Sequence, residues 1–248
     1  MNHTTHFSGL SANALKLYAI FAMLLDHIAW AFVPTYSTPG QIMHIIGRTT
    51  IPIMCYFIAE GYAHTRSVSR YAGRLALFAA VSYLPFIFFE TGGLPQGSSF
   101  FYLNVLYTLL CCLLALCVWD RVQNPALKFF LLLFLLLVSD LGDWGIYAVL
   151  FTLSFGLNRG NFPRQAAWFF VSALITAALM VAQTLAADPS LPLGEAVCRN
   201  AMQLGVLLAL PPLALYNGKR GGGSKWTFYL FYPLHLVILG LLMLCVYA

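Results

Sequence analysis

Apolar residues run along this chain in long stretches broken by brief polar punctuation, at 13–33, 42–60, 71–90, 102–119, 126–139, 144–157, 166–186, 199–216 and 226–246. A helix that crosses a bilayer needs about 20 predominantly apolar residues. The pattern therefore predicts an all-α, polytopic transmembrane bundle of about nine spans, filling 1–248 as a single domain with 1–12 as an N-terminal tail. The runs 126–139 and 144–157 are short, and read either as two short helices broken at Asp140-Leu-Gly-Asp143 or as partly interfacial segments. Most prolines fall near span ends. Pro52 and Pro233 instead lie inside the second and last spans, where each should break or kink its helix and free carbonyls. The stretch Gly218-Lys-Arg-Gly-Gly-Gly-Ser-Lys225 reads as a mobile loop before the last helix.

Charge sets the direction of the bundle. The junctions around Arg66, Arg70 and Arg74, around Arg121 and Lys128, around Arg159 and Arg164, and around Lys219, Arg220 and Lys225 hold nearly all the basic residues. They recur at every second connection, whereas the connections between them hold Glu90, Asp140, Asp143, Asp188 and Glu195, with Arg199 as the lone loop cation. Cytoplasmic loops carry the excess of Lys and Arg, so the N-terminus is expected inside and, with nine spans, the C-terminus outside. The tail has no basic n-region and the first apolar run keeps its charges, so no cleaved signal peptide is expected.

Composition agrees. The chain is 60% hydrophobic and 8% charged, with mean hydropathy +0.80, against roughly 25% charged residues in soluble domains. No stretch is left for a soluble catalytic domain. The net charge of +5 sits in the alternating junctions and so reports topology, and no nucleic-acid partner is expected. The six cysteines lie in apolar segments without a CxxC pair, which points to neither a disulfide framework nor a thiolate metal site.

Against that apolar background a few ionisable residues stand out, and inside a span such groups are functional candidates by default. The first span, Leu15-Lys-Leu-Tyr-Ala-Ile-Phe-Ala-Met-Leu-Leu-Asp-His-Ile-Ala-Trp30, contains Lys16, Asp26 and His27. Lys16 and His27 are eleven residues apart, about three turns, so they share one face at about 16 Å separation. Asp26 points about a quarter-turn away and needs a partner on another helix. The second span carries Arg48, a natural counter-ion for Asp26, and Glu60 near its end. His235 follows Pro233 in the last span and can approach the same region. Arg66, Arg70 and Arg74 are spaced as one helical stripe, suited to phosphate because guanidinium matches it bidentately. No third ligand accompanies the His and Asp residues at metal-site spacing, and no metal is expected.

The chain resembles the TraX family, membrane proteins named after a conjugation-plasmid protein associated with N-terminal acetylation of pilin. The resemblance rests on Lys16 through Asp26-His27, on Gly47-Arg48-(x)3-Pro52 leading to Glu60-Gly61, on the Arg66 to Arg74 segment, on Asn104-Val-Leu-Tyr-Thr-Leu, on Asp143-Trp-Gly and on Tyr229-(x)2-Tyr232-Pro-(x)-His235. It covers nearly the whole chain. The wider group is similar to OafA-like transmembrane acyltransferases and to heparan-alpha-glucosaminide N-acetyltransferase, in which a basic residue, ten residues and a histidine mark the first helix. The resemblance implies an acetyltransferase of the bacterial inner membrane that uses cytoplasmic acetyl-CoA. Lys16, Arg66, Arg70 and Arg74 would hold the cofactor, while His27, Asp26 and Arg48 would be catalytic. Glu60, Tyr62, Asn104, Tyr232 and His235 would meet an acceptor that is an amine, a peptide N-terminus or a sugar hydroxyl. The competing expectation is a transporter or a proton or ion relay built on Lys16, Asp26, His27 and Arg48, against which stand the lack of an internal repeat and the crowding of polar residues into the first two spans.

Overall fold

The computed structural model describes residues 9–223 and 226–247, so the first eight residues of the expected tail, and Lys225, lie outside the described residues. Helices account for the fold: α1 (Ala12–Phe32), α2 (Thr38–Gly47), α3 (Thr50–His64), α4 (Val68–Val81), α5 (Tyr83–Thr91), α6 (Val105–Arg121), α7 (Pro125–Ser139), α8 (Gly145–Leu157), α9 (Phe162–Ala187), α10 (Leu193–Asn200), α11 (Leu210–Ala214) and α12 (Trp226–Tyr247). A 3₁₀ segment (Ala201–Ala209) joins α10 to α11. Among the described residues the only β pairing is two isolated bridges, Leu10 with Tyr216 and Leu103 with Gly142.

Every expected apolar run lands on a helix or a helix pair, but their lengths differ. Five stretches are long and apolar enough to cross a membrane, and a sixth if α4 and α5, bent by 40°, count as one. The other three runs correspond to α6, α7 and α8, of 17, 15 and 13 residues. At 1.5 Å per residue these reach about 26, 22 and 20 Å, short of a hydrocarbon core of roughly 30 Å. Helix α8 is nevertheless central. It packs against α3, α6 and α9, with Phe151 and Phe155 fully buried and Phe155 stacked on Phe169 at 5.0 Å.

Proline explains both breaks. Pro52 is the third residue of α3 and Pro85 the third of α5. A proline ring there excludes the carbonyl four residues earlier and offers it no N–H, so the preceding helix must end upstream. The break in the second span therefore falls at Arg48-Thr49, and that in the third at Ser82. Thr49 N–H turns back to the Ile46 carbonyl at 3.1 Å, a tighter i to i−3 bond. Pro233 acts differently: α12 continues through it without a break.

Small residues let the helices close. Leu15, Ala19, Ala22, Met23, Asp26 and Ala29 form the buried face of α1, and at Gly47 an added Cβ would run into the Asp26 side chain. Apolar side chains gain little by leaving lipid for protein, so close approach and polar contacts hold such a bundle together. The segment after α11, expected to be mobile, is instead tied to the start of α1. Leu10 and Asn217 exchange backbone bonds with it, Leu10 N–H to the Leu215 carbonyl (2.7 Å) and Asn217 N–H to the Leu10 carbonyl (3.0 Å). Ala12 and Asn13 donate to the Lys219 and Arg220 carbonyls at 2.9 and 3.0 Å, which satisfies two first-turn amides of α1.

Candidate active site

Asp26 finds its partners on α2. Arg48 Nη1 donates to Asp26 Oδ2 at 3.0 Å, and His44 Nδ1 lies 2.8 Å from Oδ1. His44 and Arg48 are four apart and therefore share a helix face, which is why one carboxylate serves both. His44 was not singled out from sequence, although its spacing to Arg48 was the available signal. Aromatic rings enclose the cluster: the Arg48 guanidinium lies 5.7 Å from the Trp30 ring and 5.3 Å from that of Trp144, and His44 packs on Trp30 at 4.4 Å. Arg48 Nε and His44 Nε2 are buried with no hydrogen-bond partner among the described residues.

His27 is oriented by its own helix. Its Nδ1 lies 2.8 Å from the Met23 carbonyl, and because a carbonyl only accepts, the proton sits on Nδ1 and the Nε2 lone pair is left for chemistry. The ring edges of His235 (4.9 Å) and Phe89 (5.2 Å) hold its plane. His235 is itself fixed through Nδ1 to the Phe231 carbonyl at 3.0 Å and stacks on Phe231.

These groups border a cavity of about 570 Å³, within the range of small-molecule sites. Asp26, His27 and Arg48 line it together with Glu90, Asp140 and Asp143, so half of the chain's eight carboxylates meet there. By sequence the last three belong to the connections, and nothing in their spacing says that the end of α5, which holds Glu90, and the α7–α8 loop, which holds Asp140 and Asp143, face inward. The loop Asp140 to Gly145 is held by Asp143 N–H to the Leu103 carbonyl (2.8 Å) and Thr108 hydroxyl to the Asp143 carbonyl (2.6 Å). Trp144 adopts a left-handed conformation there (φ 64°), which for a bulky residue costs about 1–2 kcal/mol and persists where its surroundings force it.

A second cavity, of about 330 Å³, opens at the end of the bundle that carries the basic junctions. Lys16, Arg74, Arg220 and His64 line it, and no carboxylate does. Met54, Leu109 and Phe228 line both cavities, so the two adjoin at these three apolar side chains. Helix α1 spans the pair: Lys16 faces one cavity and His27 the other.

The remaining expected residues divide. Tyr232 lines the acidic cavity and is almost fully buried; His235 lies behind His27 and is not part of the lining. Asn104 caps α6 by accepting from Leu106 N–H (3.1 Å) and ties it to α4 by donating to the Ala79 carbonyl (2.7 Å), outside both linings. Glu60 pairs with Arg159 at 2.9 Å and the Tyr62 hydroxyl donates to Asp120 at 2.8 Å; both join helix ends outside the linings. The arginine stripe does not form as one. Ser67 accepts from Arg70 N–H and starts α4, leaving Arg66 in the preceding turn. Of the three only Arg74 lines the cationic cavity, while Arg220, not expected at the site, does.

Comparison with known proteins gives the same lineage as the motifs. The family model for the TraX protein matches residues 11–243. A probable fimbrial assembly protein FimC, serogroup H1, of Dichelobacter nodosus is 36% identical over 239 residues, covering 92% of this chain and 94% of that protein. No solved structure matches. With the family model covering nearly all of the chain and a relative this similar end to end, the chain belongs to the TraX family.

Proposed function

We propose that this protein is a membrane acetyltransferase of nine crossings with its N-terminus in the cytoplasm, moving the acetyl group of acetyl-CoA to an amine or hydroxyl acceptor. One observation carries the reading: a carboxylate-free basic cavity and an acidic cavity meet at a thin apolar wall, with His27 just beyond it. The cofactor's phosphates suit the basic cavity, its pantetheine arm the apolar wall, and its thioester the far side. There His27 Nε2 takes the proton of the acceptor N–H or O–H as that atom attacks the thioester carbon. The carbonyl oxygen gains negative charge beside Arg48, whose Nε lacks a protein partner. As the oxygen reforms its double bond the C–S bond breaks, and the leaving thiolate takes the proton from His27. Asp26 and His44 keep the guanidinium in place. A proton or ion relay would need a polar path between the cavities, and Met54, Leu109 and Phe228, where the two adjoin, offer an ion no ligand, which favours the acyl-transfer reading.

The name of the Dichelobacter relative brings a fimbrial subunit into view as acceptor. The test is labelled acetyl transfer from acetyl-CoA by the purified protein in lipid nanodiscs, with a fimbrial subunit peptide, simple amines and sugars offered in turn. Label in an acceptor, absent with His27→Ala, is the expected result. No transfer to any acceptor, together with no rise in melting temperature on adding acetyl-CoA, would remove the proposal, since a ligand of the native state must stabilise it.

A further inference from the structure

Three cations reach the basic cavity from separate parts of the chain: Lys16 from α1, Arg74 from α4 and Arg220 from the loop after α11. Lys16 and Arg220 are close enough to repel each other. None of the three forms an ion pair with a carboxylate among the described residues. Lys16 rests over the Phe57 ring at 5.1 Å and Arg74 over that of Tyr71 at 5.4 Å. Like charges gathered without an anion cost free energy unless something negative joins them.

The loop that brings Arg220 is shaped for close approach. Gly218, Gly221 and Gly223 have φ of 73°, 73° and 125°, conformations that other residues rarely adopt. A Cβ on Gly221 would meet the Ser11 side chain, and one on Gly223 would meet Asn13. Among the described residues the amides of Gly221, Gly222 and Gly223 donate to no backbone carbonyl. Exposed amides in succession that no protein carbonyl takes up, beside converging cations, are what an anion needs. Gly221 and Gly223 also line the cavity.

We infer that the loop Gly218 to Gly223, pinned to the N-terminus of α1, forms with Arg220, Lys16 and Arg74 a phosphate-binding site, and that Arg220, rather than Arg66 or Arg70, supplies its third cation. The site takes the phosphates of a nucleotide-bearing thioester, an assignment that rests on the acetyl-CoA reading above. At about 330 Å³ the cavity is at the lower end of the range filled by drug-sized ligands. Acetyl-CoA is larger than those, so the nucleotide extends past the loop and only phosphates and arm sit beneath it.

The test is calorimetric titration of CoA, dephospho-CoA and pantetheine into the full chain in phosphatidylcholine nanodiscs, repeated with phosphatidylglycerol added. Arg220→Gln should weaken CoA binding tenfold or more, as expected for removal of one charge-assisted contact, and leave pantetheine binding within twofold. Gly221→Ala should weaken CoA as well; if it does not fold, Arg220→Gln, which alters an exposed side chain, still decides. Wild-type CoA affinity in Arg220→Gln, with loss in Lys16→Gln and Arg74→Gln, would overturn the loop site and keep the acetyl-CoA reading. CoA binding that disappears once phosphatidylglycerol is present would assign the site to a lipid headgroup and overturn the inference. No CoA binding by the unaltered protein would overturn both.

Discussion

The two cavities share helices and a wall yet carry opposite charge. Helix α1 gives Lys16 to one and Asp26 with His27 to the other, and α3 gives Met54 to both. What separates them is depth along the same helices. In the acidic cavity charge is tightly managed: Asp26 has two partners, and Arg48 lies between two indole rings. In the basic cavity Lys16, Arg74 and Arg220 have no carboxylate partner among the described residues. A site that fixes its charges in advance is suited to steering a reaction, whereas one that leaves them uncompensated is suited to capturing an ion from outside. On the proposed reading, the contrast gives chemistry to the first and binding to the second.

The contrast breaks most readily at His27. His27→Ala is expected to lower acetyl turnover roughly 100- to 10,000-fold while CoA titration stays as in the unaltered protein; a parallel loss of affinity would mean that the cavities are not separable. Next in size is the charge cluster. Asp26→Asn removes the negative charge that Arg48 and His44 share, leaves the buried guanidinium without its counter-ion, and should cost about 3–5 kcal/mol of stability. Asp26→Leu with Arg48→Met should then lose less than the sum of the single changes, as read from melting temperatures in nanodiscs. Strict additivity would show that the pair does not act as a unit. Lys16→Gln should raise the half-saturating acetyl-CoA concentration about tenfold and leave the rate at saturation nearly unchanged, the pattern of lost uniform binding. The smallest effects belong to Arg66→Gln and Arg70→Gln, whose affinities for CoA should remain within twofold. A tenfold loss in either would restore the single stripe that the turn before α4 divides.

The sequence was most legible where one helix decided the matter. A separation of eleven positions puts Lys16 and His27 on one face at different depths whatever the other helices do, and an intramembrane Asp26 demanded a cation that Arg48 was the obvious residue to provide. It was least legible where connections fold back. Asp140 and Asp143 look like loop charges until the α7–α8 turn is pinned by Leu103 and Thr108, and Glu90 looks like one until the last turn of α5 carries it into the cavity lining. The glycines from 218 look like slack until Gly221 is seen against Ser11 and Gly223 against Asn13. Asn104 is a polar residue at a helix start, and its two hydrogen bonds make it a cap and a tie rather than an acceptor contact. Helix spacing also misled at Arg66, because the chain interrupts the helix at Ser67 and a periodicity argument assumes that it does not.

On the proposed topology the cavities admit water from opposite faces of the bilayer, and Met54, Leu109 and Phe228 are the septum between the two aqueous phases. The transmembrane potential then drops across that thin layer instead of across the roughly 30 Å of a full hydrocarbon core, and the field within it is correspondingly steep. A unit charge driven through would gain or lose about 2.3 kcal/mol for every 100 mV. An acetyl group carries no charge and passes such a field without electrical work, whereas a proton or a sodium ion meets three apolar side chains that offer it no ligand. On the proposed reading, the transferred carbon would cross this septum with no charge moving along it.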